Sequence, residues 1–256
     1  MGLNVGDVVV LNYTVSVVEE GVERVVDTTD ENVARSTGIY DPNKRYGGVV
    51  VVYGRSSLLE AVEETLASMS VGERREIIAP PEKAYGPRRE DLVVRVPVKQ
   101  LQRLNIRPRV GEEVEVGGRR GVITRVTERF AYIDLNHPLA GKTLKIVLEL
   151  VSKAETPADK ARLLASRHLG LDPSSVDASY DEAEKMVTVK LPASILGLLD
   201  LEARLRAIAA DIYDAIKPKR LVYTIEVEYP EEFKREETEA TPQTQEGASQ
   251  ELNREQ

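Results

Sequence analysis

The apolar positions of the first eighty residues fall into short β-type runs interrupted by one helical stripe. Residues 7–18, DVVVLNYTVSVV, are rich in β-branched side chains and alternate in places, which predicts a strand. Residues 48–53, GVVVVY, are a second strand-like run. Leu58, Val62, Leu66 and Met69 then recur at helical spacing, so an amphipathic helix is expected over 57–69. Ser57 with Glu60 fits a capping box at its start, and Gly72 a left-handed stop at its end. Residues 75–79 form another strand, closed by Pro80-Pro81.

Further along, Gly117-Gly118 separates Val114-Glu115-Val116 from Gly121-Val122-Ile123, which predicts a tight hairpin. Residues 130–133 are a short strand, and 143–151, TLKIVLELV, return to period-2 alternation. From residue 157 the texture becomes helical. A helix over 157–168 is opened by Thr156 as cap and Pro157 at its first position. Residues 176–180 and 186–191 can pair as strands. Leu201, Leu205, Ile208, Ile212 and Ile216 mark one face of a second helix, and Leu221, Tyr223, Ile225, Val227 and Tyr229 alternate as a closing strand. Helix, two strands, helix, strand is a compact α+β unit, whose expected work is packing or assembly.

Composition narrows the chemistry. The chain has 256 residues, 41% hydrophobic and 30% charged, with no Trp and two Phe, so its cores are aliphatic. There is no Cys, which excludes disulfides, thiolate metal sites and cysteine nucleophiles, and fits a reducing compartment. No run approaches the ~18–20 apolar residues of a membrane span, and the N-terminus has no basic leader. A soluble, cytoplasmic protein with no membrane partner is expected. The net charge of −8 is unevenly spread. Residues 231–256 carry eight acidic and three basic side chains and are expected to be a disordered acidic tail. Residues 88–142 carry twelve basic and seven acidic ones. That basic segment raises an RNA-binding reading, but its arginines lack the interleaved aromatics of single-strand binders, so nucleic acid is not the expected partner.

Only two histidines are present, with no H-x-x-H spacing, no G-x-S-x-G elbow and no Walker-type loop. No metal and no cofactor are expected. His168, near a helix end, reads as meeting free carbonyls. His137, between Asn136 and Pro138, reads as part of a turn or loop.

Three distant pieces read together carry a resemblance. They are the opening V-V-L-N-Y-T strand running to Val26-Asp27, the stretch G-x-x-x-L-L-x-x-V-E-x-x-L-x-x-M-x-V-G-E over 54–73, and Ala84-Tyr85-Gly86. In that order they resemble the FKBP-type peptidyl-prolyl cis/trans isomerases. About fifty residues follow Ala84-Tyr85-Gly86 and end in NHPLAGK, 136–142, which resembles the return joint of the SlyD-like branch with its inserted "insert-in-flap" chaperone domain. On that reading His137 is structural, at the joint. The C-terminal unit looks like the extra domain of the long archaeal members.

The resemblance implies an α+β fold: an FKBP-like antiparallel sheet wrapped on a short helix, a small β-rich insert and a C-terminal α+β domain. The expected boundaries are 1–88 with 139–153 for the isomerase, 89–138 for the insert and 155–230 for the C-terminal unit. It implies isomerisation of X-Pro bonds in unfolded or nascent chains, with chaperone activity, and a homodimer through the C-terminal unit. A holdase with an idle pocket is the alternative. Carried over by residue, Tyr85 would donate its hydroxyl to the substrate carbonyl, Asp27 would be a pocket-edge carboxylate positioned by Tyr13, and the Leu59 N–H would hold a second carbonyl. Val26, Val49, Leu58, Leu59, Val62 and Ile146 would line the pocket. Patterning alone favours reading Val49, Val62 and Ile146 as core and Asp27 as a turn cap; the resemblance reverses this for Tyr13, Asp27, Leu59 and Tyr85. Val62 and Ile146 stand where the family often has Trp and Phe, so a wider pocket with weaker binding of aromatic macrolides is expected. Tyr40, Tyr46 and Tyr53 could restore aromatic surface from the loop over 38–48 and its neighbourhood. Leu92, Val94, Val96, Leu101, Ile106, Val114 and Val116 supply apolar surface for client capture or for the insert's own core.

Overall fold

The first strand, Val8–Glu19 (β1), pairs along one edge with two others, Val22–Thr28 (β2) beyond a tight hairpin and, past the short helix Glu31–Ser36 (α1), Val49–Val52 (β3). This computed structural model describes residues 2–227. The expected acidic tail and Tyr229 lie outside the described residues. Helix Glu60–Leu66 (α2) and strand Arg74–Ala79 (β4) follow. Then come Val93–Pro97 (β5), Val98–Arg103 (α3), Glu113–Val116 (β6), Arg119–Val126 (β7) and Phe130–Asp134 (β8), and Leu144–Lys153 (β9) returns to β1. The first sheet has the order β2-β1-β9-β4, with β3 also on β1, all antiparallel. A second antiparallel sheet, β5-β8-β7-β6, is built entirely between β4 and β9.

The C-terminal part runs Pro157–Leu169 (α4), Asp177–Asp181 (β10), Met186–Pro192 (β11), Leu201–Ile216 (α5) and Arg220–Glu226 (β12). β10 and β11 pair antiparallel, whereas β12 lies parallel to β11, an arrangement that needs the crossover α5 supplies. Thr156 and Asp159 cap α4 reciprocally with Pro157 behind them, and Gly170 closes it in the left-handed conformation. The Gly117-Gly118 turn has φ of 59° and 74°, which a two-residue primed hairpin requires and only glycine adopts without strain.

Three hydrophobic clusters hold these sheets. One lies inside the first sheet, around Leu11, Leu66, Met69, Leu144, Ile146 and Leu148. A smaller one, with Leu101, Ile123 and Ile133 at its centre, belongs to the second sheet. The third joins α4, α5 and β11 to the outer face of the first sheet, where Val8, Val10, Val50 and Val52 pack against it. Alternation along β1 and β3 sends Val9, Leu11, Val49 and Val51 inward and these four outward. A strand apolar on both faces is the physical answer to two-sided burial.

Several expected details change. The helix over 57–69 shrinks to Glu60–Leu66, and the Ser57–Glu60 capping box does not form. The Leu58 N–H instead donates to the Ser56 carbonyl at 2.9 Å, while the Ser56 hydroxyl accepts from the Val52 N–H at 3.0 Å. That turn delays the helix until Leu59, whose side chain packs into the core and offers no cap. Gly72 is left-handed, φ 83°, but serves the turn into β4, its N–H donating to the Leu150 carbonyl at 2.7 Å. Val26 and Asp27 stand on their own strand, β2, rather than at the end of β1. Helices α1 and α3 had no expectation. Among the described residues the His168 ring meets a carboxylate rather than a free carbonyl: its Nε2 lies 2.7 Å from Asp211 Oδ2, tying α4 to α5.

Candidate active site

The site grows from the inner face of the first sheet and the open start of α2. Tyr13 on β1, Val26 on β2, Val49 on β3, Leu58 and Leu59 before α2, Val62 on it and Ile146 on β9 all belong to or pack against one apolar cluster. Of these, Ile146 and Val62 are 1% and 7% exposed and form the floor behind the others. Leu58, Leu59, Val26 and Val49 stay half-buried.

Polar groups rim this apolar face. The Tyr13 hydroxyl donates to Asp27 Oδ2 at 2.9 Å, a cross-strand tie that fixes the carboxylate. Burial first, then the charge of Asp27 and the hydrogen bond to it, push the Tyr13 hydroxyl well above the ordinary tyrosine value, with Tyr85 adding to the shift. Tyr13 therefore remains a protonated donor at any physiological pH. The other Asp27 oxygen accepts from the Lys44 ammonium, which also donates to the Thr28 carbonyl at 2.9 Å. A cation on the loop over 38–48 thus covers the Asp27 carboxylate. Nothing periodic distinguishes Lys44 in its loop, so only the folded chain identifies it.

At the start of α2 the missing side-chain cap has a consequence. Among the described residues the Leu59 N–H has no hydrogen-bond partner, one of the free donors every helix start carries. The Tyr85 hydroxyl is likewise without a partner among the described residues, on a side chain 40% exposed. Its ring stacks on the His137 imidazole, centroids 3.9 Å apart and planes 4° from parallel. Of the other tyrosines, Tyr53 packs against the same apolar cluster. Tyr40 and Tyr46 stack on each other at 5.5 Å, with Arg35 over Tyr40 and Lys44 beside Tyr46, and add no surface to the cluster. Among the described residues no three His, Asp or Glu side chains gather as metal ligands.

A model of the FKBP-type peptidyl-prolyl cis-trans isomerases matches residues 3–102. The "Short-type peptidyl-prolyl cis-trans isomerase" of Methanocaldococcus jannaschii is 34% identical over 145 residues, 57% of this chain and 90% of that protein. This chain belongs to the FKBP-type peptidyl-prolyl cis-trans isomerases. Proteins named "FKBP-type peptidyl-prolyl cis-trans isomerase SlyD" are also similar. That of Aeromonas hydrophila is 33% identical over 166 residues, 63% of this chain and 68% of that protein. That of Pasteurella multocida is 33% identical over 110 residues, 42% of this chain and 55% of its own length.

An isomerase of this family needs no nucleophile. Rotation about an X-Pro bond faces a barrier of about 18–20 kcal/mol and breaks no bond to a substrate atom. The twisted amide has lost resonance and carries less charge separation than the planar one, so an apolar surface favours it while donors at the rim hold the neighbouring carbonyls.

The second sheet absorbs much of its own apolar side chain content. Val96, Leu101 and Val114 are buried in its core and are unavailable for capture, while Val94, Ile106 and Val116 pack against that core. Its exposed apolar groups are instead Leu104 and Val110, 60% and 66% exposed on the stretch after α3, and Val126. Four of its basic side chains are engaged: Arg88 pairs with Asp134, Arg89 with Asp91, and Arg95 and Arg125 lie over Phe130 and Tyr132. No helix among the described residues is long and apolar enough to cross a membrane.

Proposed function

We propose that this isomerase is a folding enzyme that acts on X-Pro bonds of unfolded chains, with residues 89–138 as an inserted chaperone domain that captures the client. The observation that carries the isomerase half is the Leu59 N–H, without a partner among the described residues, beside one apolar cluster whose edge also carries Tyr13 and the Asp27 it holds. Tyr85 donates to the substrate carbonyl, Leu59 holds a second one, and Val26, Val49, Leu58, Val62 and Ile146 receive the proline ring. The capture half is supported by Leu104 and Val110, whose exposure on the loop between α3 and β6 offers apolar contact to a client chain. The C-terminal unit then serves self-association, presenting two inserts to one client.

Proline-limited refolding of an unfolded protein tests this, comparing the full chain with one whose residues 89–135 are replaced by a short loop, and a short proline peptide as parallel substrate. Loss of refolding catalysis with peptide isomerisation spared supports both halves. Catalysis of neither substrate, with aggregation still suppressed, makes the protein a holdase. That second reading draws on the aliphatic floor and on Lys44 lying against Asp27.

A further inference from the structure

Tyr85 stands on a short turn between the Pro81–Lys83 helical turn and Gly86, half in solvent, with nothing bonded to its hydroxyl among the described residues. A side chain so placed is free to swing. What holds its ring is His137, parallel to within 4° at 3.9 Å, in a segment fifty residues away along the chain. We propose that His137 is a positioning residue for Tyr85, fixing the angle at which its hydroxyl meets the substrate carbonyl. The inference rests on Tyr85 being that donor.

The platform under Tyr85 is itself well fixed. The Leu139 N–H donates to His137 Nδ1 at 3.1 Å, and the Ala140 N–H to the His137 carbonyl at 2.9 Å. The Asn136 side chain bridges the Arg89 N–H and carbonyl at 2.9 and 2.8 Å. The Gly141 N–H donates to the Gly86 carbonyl at 2.8 Å, so the two chain segments are stitched on either side of the stack. Histidine suits this place because its edge accepts the turn's N–H while its face stacks on Tyr85. Pro138 restricts the His137 backbone as well. The joint through which the chain returns from the second sheet is therefore part of the catalytic rim, and not merely a tether.

The two roles of the ring separate by substitution in the full-length protein. His137→Asn keeps a side-chain acceptor for the Leu139 N–H and removes the stack. His137→Phe keeps the stack and removes the acceptor. On a short proline peptide, measured below each variant's unfolding transition, His137→Asn is expected to lose roughly three- to tenfold in kcat with KM little changed, the range one aromatic pair supports. His137→Phe is expected to stay near the parent. The reverse pattern, with His137→Phe impaired and His137→Asn intact, confines His137 to turn closure and overturns the inference. Tyr85→Phe alone must lower kcat, and if it does not, the donor reading falls and the inference with it. The double variant Tyr85→Phe/His137→Asn is expected to match Tyr85→Phe. A further loss in the double variant means His137 acts other than through Tyr85 and also overturns it.

Discussion

A chain ending at Glu155 would lose α4, α5 and β10–β12 and uncover the outward face of β3 and of the start of β1, where Val8, Val10, Val50 and Val52 sit. Val8 pairs with Val52 and Val10 with Val50 across those strands, and α4 lies over both. In the full chain Val8 and Val52 are buried in the shared cluster, with Val10 and Val50 packed beside them. Burying one valine is worth about 1.5–3 kcal/mol, so exposing Val8 and Val52 alone costs the remaining body about 3–6 kcal/mol. That is an upper figure, because an unfolded chain already hides part of this surface. It is nonetheless a large share of the ~5–15 kcal/mol that holds a domain folded. With a urea slope near 2 kcal/mol/M, the unfolding midpoint followed by circular dichroism should fall by roughly 1.5–3 M. The shortened chain should also aggregate, and Val10→Thr with Val50→Thr should return it to solution. A shortened chain with an unchanged midpoint that stays monodisperse would refute the shared-core argument.

Other outcomes follow from the same geometry. Tyr13→Phe frees one Asp27 oxygen; on a half-exposed carboxylate this should cost about 1 kcal/mol of stability, read by urea titration, and lower peptide isomerisation. Burial raises the folded values of Tyr13 and of Tyr223, the latter pushed up to about 12. Because those values are raised, the stability the two tyrosines contribute is full below the ordinary value of about 10 and is lost as pH climbs past it. Urea midpoints should thus decline between about pH 10 and 12, and Tyr223→Phe should flatten that decline. Leu104→Ser with Val110→Ser should leave the unfolding free energy within about 0.5 kcal/mol of the parent, as exposed substitutions do, and spare peptide turnover while slowing catalysed refolding.

Much was legible before folding because it is local. The alternation in 143–151, the Gly117-Gly118 hairpin and the Thr156-Pro157 helix start each follow from backbone preferences of a few adjacent residues, and each is present. The order of motifs around Tyr13, Asp27, Leu59 and Tyr85 was likewise sufficient to name the family. The Ser57–Glu60 cap failed because a competing turn through Ser56 satisfied the backbone first, a contest between neighbours that a motif does not rank. Long-range choices stayed out of reach. That VVVL and VVVV face two different cores depends on α4 arriving from far along the chain, although their lack of alternation is what such a strand must show. Lys44 against Asp27 and His137 beneath Tyr85 are contacts between segments whose spacing obeys no period. Sequence by itself determined most of the strands, the long helices α4 and α5 and the chemistry available; only the tertiary structure decided the short helices α1 and α3 and which side chains meet, because that is set by how separately patterned faces find room against one another.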